Sequence, residues 1–331
     1  MTDHRAELPV PDQPTVFAVM ARASRAPSIH NTQPWRWEFG GGELRLFRDD
    51  ERHLTATDPH GRQLVISCGA MLHHARTAFA AAGWRTDVDR FPPSADPEHL
   101  ATLTFRPWPD PPPGVRARAQ AIEQRWTDRL PLNTPADLVS IVRTARKLAD
   151  PHDVTLAVLD ESAPDRLAST AEHSTALRHY DMPYQAELRW WTGHEQAPYG
   201  IPAHALASEE EASRVPSGRA FPASGESTRR ADLEDSAALV VLSTAGDTPY
   251  SWLHAGEALS AILLECTAAG LSTCPITHIT ESPATRQIVA NLAGREGIPQ
   301  VLVRIGSAPD AAPHEPTPRR TPAEFLTFTH P

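Results

Sequence analysis

Apolar positions divide this chain into two stretches of different character. Residues 16–26 (VFAVMARASRA) carry a helical pattern that ends at Pro27. After a polar loop, Trp35, Trp37 and Phe39 alternate, Gly40–Gly42 turn the chain, and Leu44 and Leu46 resume the alternation, which predicts a β-hairpin. Over 62–82, Val65, Cys68, Leu72, Ala75 and Phe79 recur at helical spacing, and Gly83 sits where a helix-ending glycine belongs. Residues 99–105 read as a strand. The prolines at 107, 109 and 111–113 then exclude any regular element.

The second stretch opens with a helix over 115–126 and the segment RWTDRLPLNT. A helix start follows, with Thr134 as N-cap, Pro135 at the first helical position and Asp137 three residues after the cap. Apolar runs at 154–159, 238–243 and 300–305 predict strands. Between the first two of these, residues 180–230 are too long and polar for a simple connection and read as a lid. Trp190, Trp191 and Tyr199 are the side chains expected to cover a site there.

One repeat links the two stretches. GAMLHHARTAFAAAGWRT from Gly69 and GEALSAILLECTAAGLST from Gly256 align without a gap at a constant offset of 187 residues. Gly69/Gly256, Leu72/Leu259, Gly83/Gly270 and Thr86/Thr273 coincide. The expected organisation is two related halves, 1–113 and 114–331, the second carrying the lid.

Composition narrows the chemistry. With 31 basic against 41 acidic residues the net charge is −10, unsuited to a nucleic-acid backbone. The three cysteines form no CxxC pair and are too few for a disulfide framework; Cys68 and Cys266 read as packing residues. The N-terminal residues have no apolar signal core and no run of 18 apolar residues occurs, so no membrane span and a cytoplasmic location are expected. No GxGxxG, P-loop or GxSxG signature is present. His73 and His74 project about 100° apart on a helix and cannot share a metal as an i, i+4 pair would, so no metal site is expected.

Three polar segments remain. Pro27 to Trp35 (PSIHNTQPW) places short donors and acceptors between two prolines, a loop able to line a planar, polar-edged ligand. Arg125, Thr127 and Arg129 are spaced by two, so an extended segment sets two guanidiniums and a hydroxyl on one face, as a phosphate clamp requires. Arg319 and Arg320, braced by Pro318 and Pro322, form a further candidate anion site.

These segments carry a resemblance. RAPSIHNTQPWRW looks like the PSxxNxQPW loop of the nitroreductase family of flavoproteins, and RWTDRLPLNTPADL is similar to that family's RRSxR segment, with Thr127 in place of the usual serine. GLSTCPITH resembles the segment whose backbone amides approach flavin N5 and O4, and PTPRRTPAEF the C-terminal basic motif. The first half keeps only the loop and the second only the clamp, an arrangement similar to the Acg-like branch, whose single chains imitate a nitroreductase dimer.

The resemblance implies an α+β fold: a mostly antiparallel central sheet flanked by helices, duplicated within one chain. It implies FMN with Arg125, Thr127, Arg319 and Arg320 at the phosphate. Pro27, Ser28, Asn31 and Gln33 would lie at the ring, Pro275, Ile276 and Thr277 near N5 and O4, and Arg129 near N1 and O2. No catalytic side chain is required. The expected activity is NAD(P)H-dependent reduction of a nitro compound, quinone or similar acceptor; the alternative is FMN storage under a closed lid. One site per chain, assembled by a monomer, completes the expectation, with association into a dimer left open.

Overall fold

The computed structural model describes residues 9–160, 162–193, 197–221, 227–294, 296–309 and 315–329. Residues 194–196 and 222–226 of the lid stretch lie outside them. In chain order the first half holds α1 (Gln13–Ala23), β1 (Trp35–Gly40), β2 (Glu43–Arg48), α2 (Arg62–Ala81), β3 (Trp84–Arg90) and β4 (His99–Pro107). The second holds α3 (Pro113–Gln124), α4 (Leu138–Ala149), β5 (Val154–Val158), α5 (Ala163–Arg178), α6 (Met182–Trp190), α7 (Glu209–Ser213) and β6 (Ala238–Thr244). It continues through α8 (Pro249–Ala268), β7 (Ser272–Ile276), α9 (Pro283–Leu292), β8 (Ile298–Gly306) and β9 (Leu326–Phe328).

The two sheets have one topology. The first runs β3-β4-β2-β1-β9 and the second β7-β8-β6-β5. Replacing β1 to β4 by β5 to β8 converts one order into the other, and every corresponding pair is antiparallel. Even the register shift recurs, at Leu46/Phe47 in one sheet and Leu242/Ser243 in the other. The exception is β9, which crosses from the C-terminal end to pair in parallel with β1.

Burial explains why the halves look different as sequence. On β1 the side chains alternate between buried and half-buried because one face of that sheet meets the core. The second sheet is covered on both faces: Val240, Leu242, Val301 and Val303 pack toward α8, whereas Leu239, Val241 and Leu302 pack with α5 and α9 residues. Its strands therefore read as unbroken apolar runs.

Helices α2 and α8 form the centre, and the offset of 187 becomes a geometric relation there. A Cβ on Gly69 would stand 2.1 Å from the Leu253 carbonyl, and one on Gly256 would stand 2.0 Å from that of Ile66. Ile66 and Leu253 are themselves 187 apart. The contact is thus reciprocal, as across a two-fold axis, and only glycine permits backbones this close. Gly83 and Gly270 end the two helices with φ of 84° and 76°.

Several element boundaries differ from expectation: α1 lies three residues ahead of the 16–26 pattern, β4 runs on to Pro107, α3 already starts at Pro113, where a proline is tolerated in the first turn, and α4 starts later than a Thr134 cap implies. Asp137, not Thr134, caps α4, its carboxylate accepting from Ser140 N at 3.2 Å. Asn133 exchanges backbone hydrogen bonds with Ser307 (3.0 and 2.9 Å), and the Thr134 hydroxyl donates to Ser236 O. Those pairings hold the chain extended past Thr134 and delay the helix.

Candidate functional site

A cavity of about 460 Å³ opens between the halves. Loop residues Pro27, Ser28 and His30 form one side and Pro275, Ile276 and Thr277 another. Its floor is α2, where Gln63, Ser67 and Ala70 project at helical spacing. A small extension of about 50 Å³ shares Ser28, His30, Thr127 and Arg129 with it and ends among Arg25, Arg125 and Arg319. A slot with a cationic end results.

The loop is locally strained. His30, Asn31 and Gln33 have φ of 43°, 55° and 52°, which non-glycine residues adopt at a cost recovered from surrounding contacts. Those contacts are present: Ser28 Oγ accepts from Gln33 N (3.0 Å), Ser67 Oγ from Ile29 N (3.1 Å), and Asn31 Nδ2 donates to Gly200 O (2.9 Å). Asn31 Oδ1 remains buried without a partner. Gln33 is used internally, donating to Pro198 O and accepting from Arg320 N, and does not line the cavity.

The cationic end gathers charges that form no ion pair among the described residues; only the field of Glu123 reaches one of them, Arg25. Arg125 is buried; its Nη2 donates to Arg25 O at 3.2 Å, while Nε and Nη1 have no partner. Burial, with the Arg25 charge beside it, lowers the Arg125 pKa to about 10. Arg319 is held by the Ser24, Arg25, Thr317 and Pro318 carbonyls, and burial beside Arg125 and Arg25 pushes its pKa well down. Glu123, whose field reaches Arg25, is itself 3.0 Å from Arg22. Unpartnered guanidinium nitrogens in a closed cluster of like charge fit a phosphate group.

Other expected residues sit elsewhere or act differently. Arg320 points into the body of the protein, donating to Gln33 O and Trp35 O and lying 3.5 Å from Asp49, and does not line either space. Thr127 forms a bridge with Thr273 at the junction of slot and extension. Arg129 donates to Ala205 O (3.0 Å) and stacks 5.7 Å from the Phe221 ring centre. Pro275 has no amide hydrogen, so only Ile276 and Thr277 of its trio can offer one to a ligand.

The lid also differs in detail. Trp190, Trp191 and Tyr199 do not line the cavity: Trp190 is 63% exposed and Trp191 packs edge-on to Tyr199. Covering residues come instead from farther along, with Ala212, Val215, Arg219 and Phe221 lining the slot. This segment is pinned by Glu211, a fully buried carboxylate that accepts from Ser208 N and from Arg229, which hold its pKa near about 2 against the cost of burial. No spacing in the sequence marks Phe221 as a cover, because its position depends on that buried pair.

The symmetry-related position is filled. Moving Gln63, Ser67 and Ala70 on by 187 gives Tyr250, His254 and Glu257. Glu257 is wholly buried, gripped by Arg90 at 2.7 and 2.8 Å and by Arg76 at 3.0 Å, with His152 at 3.6 Å. These cations lower its pKa to about 2 despite burial. A carboxylate and its partners occupy the space that Ala70 leaves open in the first half.

Known proteins resemble this chain over most of its length. A match to the nitroreductase family covers residues 134–307. An uncharacterized protein of Mycobacterium tuberculosis is 45% identical over 304 residues, spanning 90% of this chain and 88% of that protein. A second protein of that organism, named "Putative NAD(P)H nitroreductase acg", is 44% identical over 300 residues, spanning 90% and 91%. The chain belongs to the nitroreductase family, and its α+β fold is duplicated within one chain. Among solved structures it is similar to one titled "a putative nitroreductase" of Anabaena variabilis (TM-score 0.48, 11% identity, 90% of each chain). It is also similar to the FMN-dependent nitroreductase NfnB of Mycobacterium smegmatis in complex with NADPH (TM-score 0.41, 18% identity, 65% of this chain and 98% of that one). No helix among the described residues is long and apolar enough to cross a membrane, and no cluster there offers three metal ligands.

Proposed function

We propose that this protein is an FMN-dependent oxidoreductase of the cytoplasm, reduced by NAD(P)H and reoxidised by a nitro compound, quinone or similar acceptor. The observation that carries the reading is the buried arginine cluster with its unpartnered Arg125 nitrogens at the end of a slot built by both halves. Arg125, Arg25 and Arg319 would hold the phosphate, Thr127 the ribityl junction, and Ser28, Ile276 and Thr277 the ring edge. Arg129 would lie along the ring, where a cation favours the reduced, anionic flavin. When bound, FMN supplies hydride transfer; the chain's own residues bind, orient and exclude water. The name of the M. tuberculosis relative supports a nicotinamide donor.

The filled mirror position supports one FMN per chain, with halves dividing near 113/114 and the site complete in a monomer. A second reading, flavin storage, is favoured by the lid residues Val215 and Phe221 at the slot. Mixing the yellow protein anaerobically with NADPH or NADH separates the two. Bleaching within seconds supports the reductase. Colour that yields only to dithionite overturns it in favour of storage. Sedimentation followed at 280 and 450 nm tests stoichiometry, and two flavins per chain would refute the single-site reading.

A further inference from the structure

Three imidazole nitrogens inside the slot have no described partner. His30 is buried, and neither Nδ1 nor Nε2 makes a hydrogen bond; His278, also buried, leaves Nε2 unpaired. Both residues line the slot, one from the strained loop and one just beyond β7. His30 is held in an unfavourable backbone conformation, and its ring meets Phe221 of the lid edge-on, with centroids 6.1 Å apart. Lid and loop together therefore fix the orientation of a side chain whose ring nitrogens have no hydrogen-bond partner among the described residues.

Their protonation state narrows the ligand. Burial holds both imidazoles well below the ordinary histidine range, and the nearby Arg219 charge pushes the same way. Arg219 itself stays charged because Glu281 and the Tyr184 hydroxyl bind it. Each imidazole is thus neutral at pH 7, offering one N–H donor and one bare nitrogen. An imidazolium would only donate. Of the cations lining the slot, Arg219 is balanced by Glu281 and Arg304 by Asp235, whereas Arg129, bonded to the Ala205 carbonyl, directs its charge at His30 and further disfavours an imidazolium there; the exposed Glu209 also lines the slot. A carboxylate would leave the bare nitrogens unsatisfied, whereas a primary carboxamide both accepts and donates.

We propose that His30 and His278 form the reading site for a ring-borne primary carboxamide, the group that a nicotinamide presents. Ala212, Val215 and Phe221 supply the apolar wall for a flat ring. This inference rests on the reductase reading and adds to it the residues that select the electron donor.

The test uses protein loaded with FMN and non-reducible ring probes, followed by perturbation of the 450 nm band and by calorimetry. Benzamide is expected to bind at least tenfold more tightly than benzoate or acetophenone, which match its shape but lack its donor–acceptor pair. His30→Asn tolerates the left-handed backbone but shortens the reach, and His278→Phe removes the nitrogen. Each should bring benzamide to within threefold of acetophenone while FMN remains bound at 450 nm. The 3-acetylpyridine analogue of NADPH should show a KM raised at least tenfold on the unmutated protein and little changed on either variant. Equal binding of the three probes, or a preference that survives both substitutions, overturns the proposal. Failure to hold FMN at all would instead refute the reductase reading beneath it.

Discussion

Replacing Arg125 by Met should stabilise the FMN-free protein while crippling cofactor binding. The native guanidinium is buried with Nε and Nη1 unpartnered, and its pKa falls from 12.5 to about 10. That drop corresponds to roughly 3 kcal/mol of unfavourable charge in the folded, empty protein. Methionine keeps most of the stem's volume and forfeits only the 3.2 Å bond from Nη2 to Arg25 O, worth about 1 kcal/mol. The apo variant should therefore gain about 1–2 kcal/mol, read as a higher urea midpoint at unchanged slope. FMN binding loses up to two charge-assisted hydrogen bonds at about 1.5–3 kcal/mol each, so Kd should rise by roughly two to four orders of magnitude. Quenching of free flavin fluorescence measures it, and riboflavin, lacking the phosphate, should be nearly indifferent to the substitution. An apo protein destabilised by more than about 1 kcal/mol, or an FMN Kd within threefold of native, would refute the reasoning.

Other consequences follow from the same geometry. Gly256→Ala places a Cβ 2.0 Å from the Ile66 carbonyl, so α2 and α8 must separate; a loss of about 3 kcal/mol in thermal unfolding is expected, and an unchanged Tm would contradict the close crossing. Glu257→Gln leaves Arg90 and Arg76 without their counter-charge and should cost about 2–4 kcal/mol, the lower part of the range because Arg76 is 31% exposed, while FMN affinity stays native. Acid should weaken the protein early. His30, His73, His74 and His278 are held well below 6.5 and His152 at about 4, so below pH 6.5 the unfolded chain binds protons that the folded one refuses. Stability is therefore full above that pH and lost as pH falls, by about 1.4 kcal/mol per unit for each such histidine. Asp58, raised to about 6, offsets one of them; a urea midpoint constant from pH 7.5 to 5 would count against this. Glu211→Gln should loosen the 207–221 cover, giving faster limited proteolysis there that FMN slows; equal cutting with and without FMN would detach the cover from the site.

Much of the architecture is written along the chain because it depends on local periodicity. The alternation of Trp35, Trp37 and Phe39, the helical spacing over 62–82 and the apolar runs that became β6 and β8 each record which faces of one element are buried. The repeat offset is legible too, because the two halves share residues at matching positions, although what requires glycine at 69 and 256 is a tertiary contact, the close crossing of α2 and α8. Arg125, Thr127 and Arg129 stand out in the sequence because an extended segment presents alternate positions together, and all three line the extension of the slot, with Arg125 at its cationic end.

Tertiary structure decided the rest, wherever a residue's role depends on a partner far along the chain. Arg320 and Arg319 are neighbours in sequence, yet Arg320 turns to Gln33 O and Trp35 O while Arg319 lies at the phosphate-sized hole. Arg25, which only precedes the loop motif and has no role in the sequence reading, completes the cationic end because α1 ends beside Arg125. The cover over the slot is Phe221 and not the tryptophan pair, since the buried Glu211–Arg229 pair sets where that segment docks. Periodicity reports the burial of an element's own face. It carries no record of which distant carbonyl or carboxylate will satisfy a given guanidinium, and that choice separates Arg320, bonded to the Gln33 and Trp35 carbonyls, from Arg125, whose Nε and Nη1 meet no acceptor among the described residues.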